Sequence, residues 1–222
     1  MTPAVGAAPA TTWQGQEPER FGLMSGYVWR TDPKRLLFVL ARYKFVAKML
    51  AGRGRVLEVG CADAFGTRLV AQEVDYVVGI DIDPAMLGSA AVARWPIGLV
   101  HHDILAAPIR AAKGFDAAYA IDVLEHIPAE LEDRFMTHIS ASLSERAGGV
   151  VILGTPSLES QAYASEISRA GHVNCKTQAE LRALCARHFS TVLLFGMNDE
   201  MVHTGFGPLC HYLWAVCSGP RQ

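Results

Sequence analysis

The sequence predicts an α/β fold in which a mostly parallel sheet carries helices on both faces. Between Arg55 and Leu153, short apolar runs alternate with segments of helical periodicity, which is the pattern of strands joined by crossover helices. In the last third, the strand-like runs 191–195 and 211–216 are separated only by a loop. A connection without a crossover helix indicates antiparallel pairing, so we expect one antiparallel strand at the end of the chain.

The predicted elements begin with a helix at Asp32-Pro33, because Asp is a good N-cap and Pro suits the first helical position. Upstream, the aromatic segment 13–30 has little periodicity, and we expect it to pack on the domain as a partial lid. Thr177 and Glu180 form a capping box that opens a helix ending at His188. The other strands are predicted at 56–59, 76–80, 98–101, 115–121 and 150–153, and the other helices at 65–72, 84–93 and 128–143.

The stretch from Arg55 to Gly66 has the pattern of a buried strand followed by a ligand-binding loop. The apolar run Val56 to Val59 suits a central parallel strand, and Glu58 within it is costly unless it serves a ligand or a cation. Gly60 lets the backbone turn sharply and approach a ligand. The next apolar strand ends in Asp81, where an acid typically binds the ribose hydroxyls of a nucleoside.

The loop lacks the dinucleotide fingerprint Gly-x-Gly-x-x-Gly, since Gly60, Ala62 and Phe65 stand at those positions. The remaining pattern, Glu58-x-Gly60, resembles motif I of the class I S-adenosylmethionine-dependent methyltransferases. The resemblance implies a Rossmann-like, seven-stranded, mostly parallel sheet with a terminal antiparallel strand, and S-adenosyl-L-methionine as the cofactor. One departure is that family members often carry Gly where Ala62 and Ala64 stand.

Further motifs resemble the family in chain order, up to Thr155. Asp81 matches the ribose-binding acid, the segment 102–104 matches the motif whose acid faces the adenine amino group, and 119–128 and 147–153 match the motifs of the fourth and fifth strands. In this family the motif I acid lies near the methionine amine. The resemblance implies that the cofactor is bound by Glu58, Gly60, Cys61, Asp63, Asp81, Ile82, Asp103, Ile104 and Asp122.

Length and motif placement predict the domain organisation. A chain of 222 residues, half of them hydrophobic, suits one α/β domain. We expect a disordered tail at 1–18 and a single methyltransferase domain at 19–222. Within that domain, 19–52 form an N-terminal helical and lid segment, 53–155 the cofactor-binding core, and 156–222 the substrate loops and last strands.

Composition excludes several classes of partner. The formal net charge of −2 gives no basic footprint for nucleic acid, and no apolar run approaches the length of a membrane span. The five cysteines are odd in number and form no Cys-x-x-Cys pair, so we expect reduced thiols in a cytoplasmic protein. The partners that we expect are a small-molecule acceptor and, at most, a second copy of the chain in a homodimer.

The chemistry of methyl transfer selects the candidate catalytic residues. A sulfonium donor is already activated, so the protein must align the reactants and, for an alcohol acceptor, remove a proton. Asp122 and His126 lie just past the fourth strand; we expect Asp122 to face the methionine moiety and His126 to take the proton. His172 and His203 are the rival bases, and the alternative for His126 is that it caps or orients its turn. Glu125 is predicted to be solvated or paired on the other face.

Two polar clusters in the last third suit recognition of a polar acceptor. His172 and Asn174 lie on one side of an extended segment, and residues 198–204 follow the sixth strand. The predicted acceptor-binding residues are Tyr163, Asn174, Asn198, Asp199, Glu200 and Thr204. The alternative for 198–204 is a loop held by its own hydrogen bonds. We predict no metal, although His172, Glu200 and His203 offer a ligand set of reasonable chemistry.

Together these patterns predict a methyltransferase that methylates a hydroxyl of a polar small molecule, such as a sugar or another biosynthetic metabolite. The alternatives are N-methylation of a small amine, and a protein that binds S-adenosylmethionine without turnover. The polar clusters favour an enzyme, because a pure binding module would not need them.

Overall fold

The computed structural model describes residues 17–112, 114–144 and 148–221. Of the predicted disordered tail, only Glu17 and Pro18 fall within the described residues, and Ala147 of the fifth-strand motif falls outside them. No helix in the described part of the chain is long and apolar enough to cross a membrane.

The sheet contains eight strands, one more than the resemblance implies. In chain order they are β1 Arg55–Val59, β2 Tyr76–Asp81, β3 Ile97–His101, β4 Ala117–Ile121, β5 Val150–Pro156, β6 Phe189–Asn198, β7 Met201–His203 and β8 Tyr212–Pro220. The helices are α1 Leu23–Thr31, α2 Pro33–Met49, α3 Thr67–Val70, α4 Pro84–Ser89, α5 Glu132–Ser142, α6 Glu166–Gly171 and α7 Gln178–His188. The predicted α/β class, with a mostly parallel Rossmann-like sheet, is confirmed.

The strands lie in the order β3-β2-β1-β4-β5-β8-β6-β7. β1 to β5 pair in parallel, whereas β8 pairs antiparallel with both β5 and β6. The predicted antiparallel pairing of the last two strand-like runs is therefore confirmed. The additional strand is β7, which forms a hairpin with the end of β6. The sequence did not predict it because its residues belong to the polar segment that we assigned to a loop.

Helices cover both faces of the sheet, as predicted. On one face, α5 and α7 bury Phe135, Met136, Ile139, Leu181 and Leu184 against the sheet. On the other face, α2 and α3 bury Tyr43, Val46, Ala47 and Val70. Because apolar side chains point to both faces of the central strands, these strands are buried and their carboxyl ends form the accessible edge.

The N-terminal part adds a helix that the sequence did not predict. The predicted helix at Asp32-Pro33 is present as α2, which begins at Pro33. Before it, residues 23–31 form α1, where we expected a lid without helical periodicity. Ser25 is the buried residue of α1, and it faces the loop that follows β1. This contact places α1 beside the carboxyl ends of the parallel strands.

Candidate cofactor and acceptor site

A cavity of about 1020 Å³ lies at the carboxyl ends of the parallel strands. This is the edge at which open α/β sheets bind their ligands. Residues that directly follow or end the strands line it, namely Gly60 after β1, Asp81 at the end of β2, His102 after β3, Asp122 after β4 and Pro156 at the end of β5. Helices α1 and α2 contribute Met24, Val28, Arg35, Val39 and Arg42 to the wall.

The loop after β1 makes a close turn beneath the cavity. Gly60 has a φ of +76°, and a Cβ at this position would lie 2.4 Å from Cγ2 of Val123. Ala62 and Ala64 also have positive φ, at 47° and 52°. These are the positions at which the family often carries Gly, so the chain retains the family's backbone conformation with residues that favour it less.

Asp81 holds the β1 loop and retains capacity to bind a ligand. Its Oδ2 accepts a hydrogen bond from the Ala62 amide at 2.8 Å, and its Oδ1 accepts one from the Asp83 amide at 2.9 Å. A carboxylate has about four acceptor positions, so two remain for hydroxyl groups in the cavity. Ile82, the next residue, also lines the cavity. This arrangement suits the predicted binding of ribose hydroxyls.

Asp103 and Ile104 line the cavity on the β3 side. Oδ1 of Asp103 accepts a hydrogen bond from the Leu105 amide at 2.8 Å, which fixes the carboxylate and leaves Oδ2 for a donor such as an adenine amino group. The Ile104 side chain is buried in the core cluster of the α5 face. Both residues therefore lie in the cavity wall, and their contacts with the cofactor stay a prediction.

Glu58 does not contact the cavity, which corrects its predicted position beside the methionine amine. Its carboxylate is only 1% exposed and accepts hydrogen bonds from the hydroxyls of Tyr43, at 2.7 Å, and Thr67, at 2.5 Å. Burial raises the pKa of Glu58, although these hydrogen bonds act in the opposite direction. The acid therefore joins α2, β1 and α3 beneath the site, since a buried carboxyl group needs such partners.

Cys61 and Asp63, also predicted to bind the cofactor, belong to the same loop, but their side chains are buried and do not line the cavity. Cys61 packs closely against Gly79 of β2. Oδ2 of Asp63 accepts hydrogen bonds from both the amide and the hydroxyl of Ser25, each at 2.7 Å. Asp63 thereby anchors α1, whose Met24 forms part of the cavity wall.

Asp122 lines the cavity and forms an ion pair that the sequence did not identify. Its φ is +56°, and its Oδ2 lies 2.6 Å from Nη1 of Arg42 on α2. The Arg42 guanidinium also lies over the ring of Tyr212, 4.0 Å from the ring centre. Burial, the largest single effect, would lower the pKa of Arg42, but the negative charge of Asp122, its hydrogen bond and the neighbouring Tyr212 and Glu125 together raise it. The charges of Arg42 and Asp122 therefore compensate each other.

Glu125, His126 and His172 converge at the part of the cavity that follows β4. Each offers one ligand atom, and these atoms lie within 4.8 Å of one another. The rings of His126 and His172 meet edge to face with centroids 5.2 Å apart. The structure therefore brings together the first catalytic candidate and one of its two rivals.

Glu125 was predicted to be solvated or paired on the other face. Its side chain is instead buried, since it is only 1% exposed. Its Oε2 accepts a hydrogen bond from the Thr155 hydroxyl at 3.0 Å. Burial, and then the nearby negative charge of Asp122, raises the pKa of Glu125 to about 8. The sequence gave little signal for this burial, since the short turn at 124–126 has no helical repeat from which an inward face could be predicted.

The neighbouring segment separates two residues that the sequence placed together. His172 lines the cavity, whereas Asn174 is buried and donates from Nδ2 to Glu132 at 3.1 Å. Asn174 therefore has a structural role, contrary to the prediction that it binds the acceptor. Tyr163 does line the cavity and is 88% exposed, so it stands at the entrance, with Gln161 beside it in the wall.

The segment 198–204 corrects a larger part of the prediction. It forms the end of β6, a turn at Asp199 and Glu200, and β7. Among the described residues that line the cavity, none belongs to this segment. Its side chains have other partners or positions: Oδ1 of Asn198 accepts from the His211 amide, Nδ1 of His203 accepts from the Gly205 amide, and Thr204 borders a separate shallow groove.

His203 is therefore outside the site, and the alternative metal set of His172, Glu200 and His203 is not assembled. Within the described chain, the group of His, Cys, Asp and Glu residues close enough to share an ion is Glu125, His126 and His172.

A family model described as a methyltransferase domain matches residues 29–206, which is most of the chain. The chain therefore belongs to the methyltransferase domain family. This membership confirms the resemblance to class I S-adenosylmethionine-dependent methyltransferases that motif I indicated.

Two relatives illustrate the range of similarity. A probable S-adenosylmethionine-dependent methyltransferase of Mycolicibacterium smegmatis is 31% identical over 115 residues, covering 51% of this chain and 42% of the relative. A ubiquinone biosynthesis O-methyltransferase of Xanthomonas axonopodis pv. citri is 26% identical over 174 residues, covering 75% of this chain and 71% of the relative. The chain thus spans less than half the length of the mycobacterial protein.

A solved structure shows the same fold. It is the N-methyltransferase NodS from Bradyrhizobium japonicum WM9 in complex with S-adenosyl-L-homocysteine, with a TM-score of 0.59 and 20% sequence identity. The superposition covers 87% of this chain and 92% of NodS.

Proposed function

We propose that the cavity binds S-adenosyl-L-methionine, with its nucleoside end at Asp81 and Asp103. Both acids are fixed by backbone amides and keep acceptor capacity on the cavity side. Gly60, which makes the close turn, lines the cavity, so a ligand can approach the backbone there. Family membership and the complex of NodS with S-adenosyl-L-homocysteine support this proposal.

We further propose that the chain transfers the methyl group to a hydroxyl of a small molecule. The observation that carries this proposal is the convergence of Glu125, His126 and His172 on the cavity beyond β4. Because β1 lies between β2 and β4 in the sheet, this cluster is on the other side of the β1 loop from Asp81. A hydroxyl acceptor needs such a group near the reacting oxygen, since its proton must be removed.

The hydrogen bonds of the two imidazoles define which nitrogen is available. Nδ1 of His126 lies 2.9 Å from the carbonyl oxygen of Gly171, and Nδ1 of His172 lies 2.8 Å from Oε1 of Gln161. An oxygen of this kind can only accept, so each Nδ1 carries the proton and each Nε2 keeps its lone pair. Nε2 of His126 is then the atom that we propose to receive the hydroxyl proton, with Nε2 of His172 as the rival.

Bound S-adenosyl-L-methionine supplies an activated methyl group. The acceptor oxygen bonds to the methyl carbon as the carbon–sulfur bond breaks, and the hydroxyl proton passes to the imidazole. The products are a methyl ether, S-adenosyl-L-homocysteine and a protonated histidine that returns its proton to solvent. The cavity, whose volume is about 1020 Å³, suits a cofactor together with a small acceptor.

Three further points support an oxygen acceptor of low molecular weight. The Xanthomonas relative carries the name of an O-methyltransferase. The net charge of −2 provides no basic surface for a nucleic acid acceptor. Tyr163 places a hydroxyl group in the cavity wall, which suits a hydroxylated metabolite. A cytoplasmic location and a homodimer remain predictions from the sequence.

Methylation of a panel of hydroxylated and amine-bearing metabolites tests this function, with S-adenosyl-L-homocysteine release as the readout. We expect hydroxylated compounds to be methylated. The variants His126→Ala and His172→Ala should lower turnover, the stronger effect by about 10²–10⁴-fold, because a positioned base typically contributes that much. His188→Ala is the control, since that histidine pairs with Asp133 outside the cavity. Methylation of amines alone, with turnover unaffected by either replacement, would contradict the proposal.

A further inference from the structure

The cluster of Glu125, His126 and His172 has the composition of a metal-binding site. Its carboxylate oxygen and two imidazole nitrogens lie within 4.8 Å of one another and all three residues line the cavity. They come from separate parts of the chain: Glu125 and His126 from the turn after β4, and His172 from the end of α6. One carboxylate and two imidazoles are a common ligand set for divalent transition metals.

The partners of the two imidazoles prepare them for coordination. As argued above, the Gly171 carbonyl and the Gln161 amide oxygen fix each Nδ1 as a donor and leave each Nε2 with a lone pair. Metal-binding histidines in proteins usually donate their other nitrogen in this way to a carbonyl or carboxylate, which fixes the ring orientation. Both rings therefore already have the outer hydrogen bonds of bound ligands.

Charge also favours a cation at this position. Glu125 is almost fully buried, and its carboxylate accepts a hydrogen bond from the Thr155 hydroxyl and one from a backbone amide. Two cations lie near the cluster: Arg42 forms its ion pair with Asp122, and Arg35 lines the cavity on the side of His172. A buried carboxylate is costly unless a proton, a paired cation or a metal compensates its charge.

We infer that Glu125, His126 and His172 bind one divalent transition-metal ion, with its open coordination positions facing the cavity. Three protein ligands and open positions are typical of catalytic rather than structural metal sites. Imidazole nitrogen favours ions such as Zn²⁺, Fe²⁺, Co²⁺ or Ni²⁺ over Mg²⁺ and Ca²⁺, which prefer oxygen ligands. Ligands on such an ion are separated by about 3.4 Å at a metal distance of about 2.1 Å, so the three side chains would have to move closer together on binding.

The inference rests on the proposed function and specifies how the acceptor is activated. An ion at this site would hold the acceptor oxygen and lower the pKa of its hydroxyl, as Zn²⁺ does for water. The hydroxyl proton then leaves to solvent before methyl transfer. In this form the imidazoles hold the ion, and direct proton transfer to His126 is not needed.

Metal titration of the full chain, freed of any histidine tag and treated with a chelator, tests the inference. Calorimetry with ZnCl₂ and with CoCl₂ should show one site per chain. The Co²⁺ form should also show the visible absorption bands of an ion in low-symmetry coordination. Replacement of an outer partner typically costs 10–100-fold in metal affinity, so Gln161→Leu should weaken binding by at least about 10-fold. Glu125→Gln, His126→Ala and His172→Ala should weaken it at least as much, whereas His188→Ala should leave it unchanged.

Binding of S-adenosyl-L-homocysteine by each variant confirms that its fold is intact. The inference is overturned if the parent chain binds no stoichiometric ion, or if these four cavity variants bind it as well as the parent does. Metal binding and methyl transfer are separate readouts. Hydroxyl methylation that persists without any bound ion would overturn the metal inference alone, while metal binding accompanied only by amine methylation would overturn the proposed function alone.

Discussion

At the scale of single residues, the loop after β1 has a left-handed backbone at two positions that are occupied by alanine rather than glycine. Ala62 and Ala64 both have positive φ, in the left-handed region where a Cβ is disfavoured. Ala62 nevertheless donates its amide to Asp81, so the strained conformation positions the proposed ribose-binding acid. Strain of this kind persists where surrounding contacts fix the backbone, and it frequently accompanies a binding site.

This strain leads to a prediction for Ala62→Gly. Left-handed backbone costs a non-glycine residue about 1–2 kcal/mol, whereas glycine loses about 0.4–1 kcal/mol through the greater entropy of the unfolded chain. We therefore expect the free energy of unfolding to stay equal or rise by up to about 1.5 kcal/mol. Ala183→Gly, in the exposed face of α7, should instead lose about 1 kcal/mol. Urea denaturation of both variants measures the difference, and equal losses would show that Ala62 carries no strain.

The candidate site shows which residue roles a sequence can predict. Gly60 and Asp81 directly follow predicted strands and Asp103 lies two residues beyond one, so their position at the carboxyl edge follows from the order of the strands. Glu58 belongs to the same motif as Gly60. The direction of its side chain, however, depends on Tyr43 and other tertiary partners, which the spacing of the motif does not reveal. The same motif therefore predicted the edge of the sheet correctly and one of its acids incorrectly.

At the scale of elements, the strands and their crossover helices were predictable because hydrophobic periodicity is local. Three elements were not, namely β7, α1 and α6. The hairpin of β6 and β7 depends on a turn in which Asp199 has a φ of +50°, and polar composition alone also describes a surface loop. Helix α1 depends on the buried contact between Ser25 and Asp63, which are far apart in sequence. A local turn therefore forms β7, whereas α1 is fixed to the domain by a contact between distant residues. Helix α6 has only six residues, too few to show a helical repeat.

The contact between α1 and the β1 loop gives a second prediction. In Asp63→Ala, both hydrogen bonds to Ser25 are lost, so α1 should separate from the cavity more often. Hydrogen bonds to a charged group contribute about 1.5–3 kcal/mol, and α1 supplies Met24 and Val28 to the cavity wall. We expect faster hydrogen exchange across 23–31 and affinity for S-adenosyl-L-homocysteine lower by about 10-fold or more.

Asp133→Ala is the matched control for this prediction, because Asp133 is an exposed acid of α5 that pairs with Arg187 outside the cavity. Its exchange across 23–31 and its ligand affinity should equal those of the parent. Unchanged exchange in Asp63→Ala would show that α1 is held by its apolar contacts, and unchanged affinity would show that α1 does not contribute to the ligand site.

At the scale of the whole molecule, the sheet arranges the two parts of the site along one edge. β2 ends in Asp81 and the loop after β3 carries Asp103, while the turn after β4 carries Glu125 and His126 on the other side of β1. The Gly60 loop lies between these two groups. The order of the strands thus places the expected cofactor site on the β2 and β3 side and the expected acceptor site on the β4 side. Residues outside the parallel strands, such as His172, complete the acceptor site.

Ligand binding at this edge should stabilise the whole fold. A ligand that binds only the folded state at 100 times its Kd contributes about 2.7 kcal/mol. For a chain of this size, that corresponds to a rise in Tm of about 5–10 °C. We therefore expect S-adenosyl-L-homocysteine to raise the Tm of the parent protein by this amount. NAD should give no comparable shift, because the β1 loop lacks the second and third glycines of a dinucleotide fingerprint.

The variants Asp81→Ala and Asp81→Asn connect this stabilisation to the ribose-binding acid. Loss of a charged acceptor costs about 1.5–3 kcal/mol in binding, or about 10-fold or more in Kd. At the same ligand concentration, the rise in Tm should therefore fall by about half or more. Each shift is measured against the ligand-free variant, so the loss of the Ala62 and Asp83 contacts does not confound it. A parental shift in both variants, or a larger shift with NAD, would rule out Asp81 as the ribose ligand.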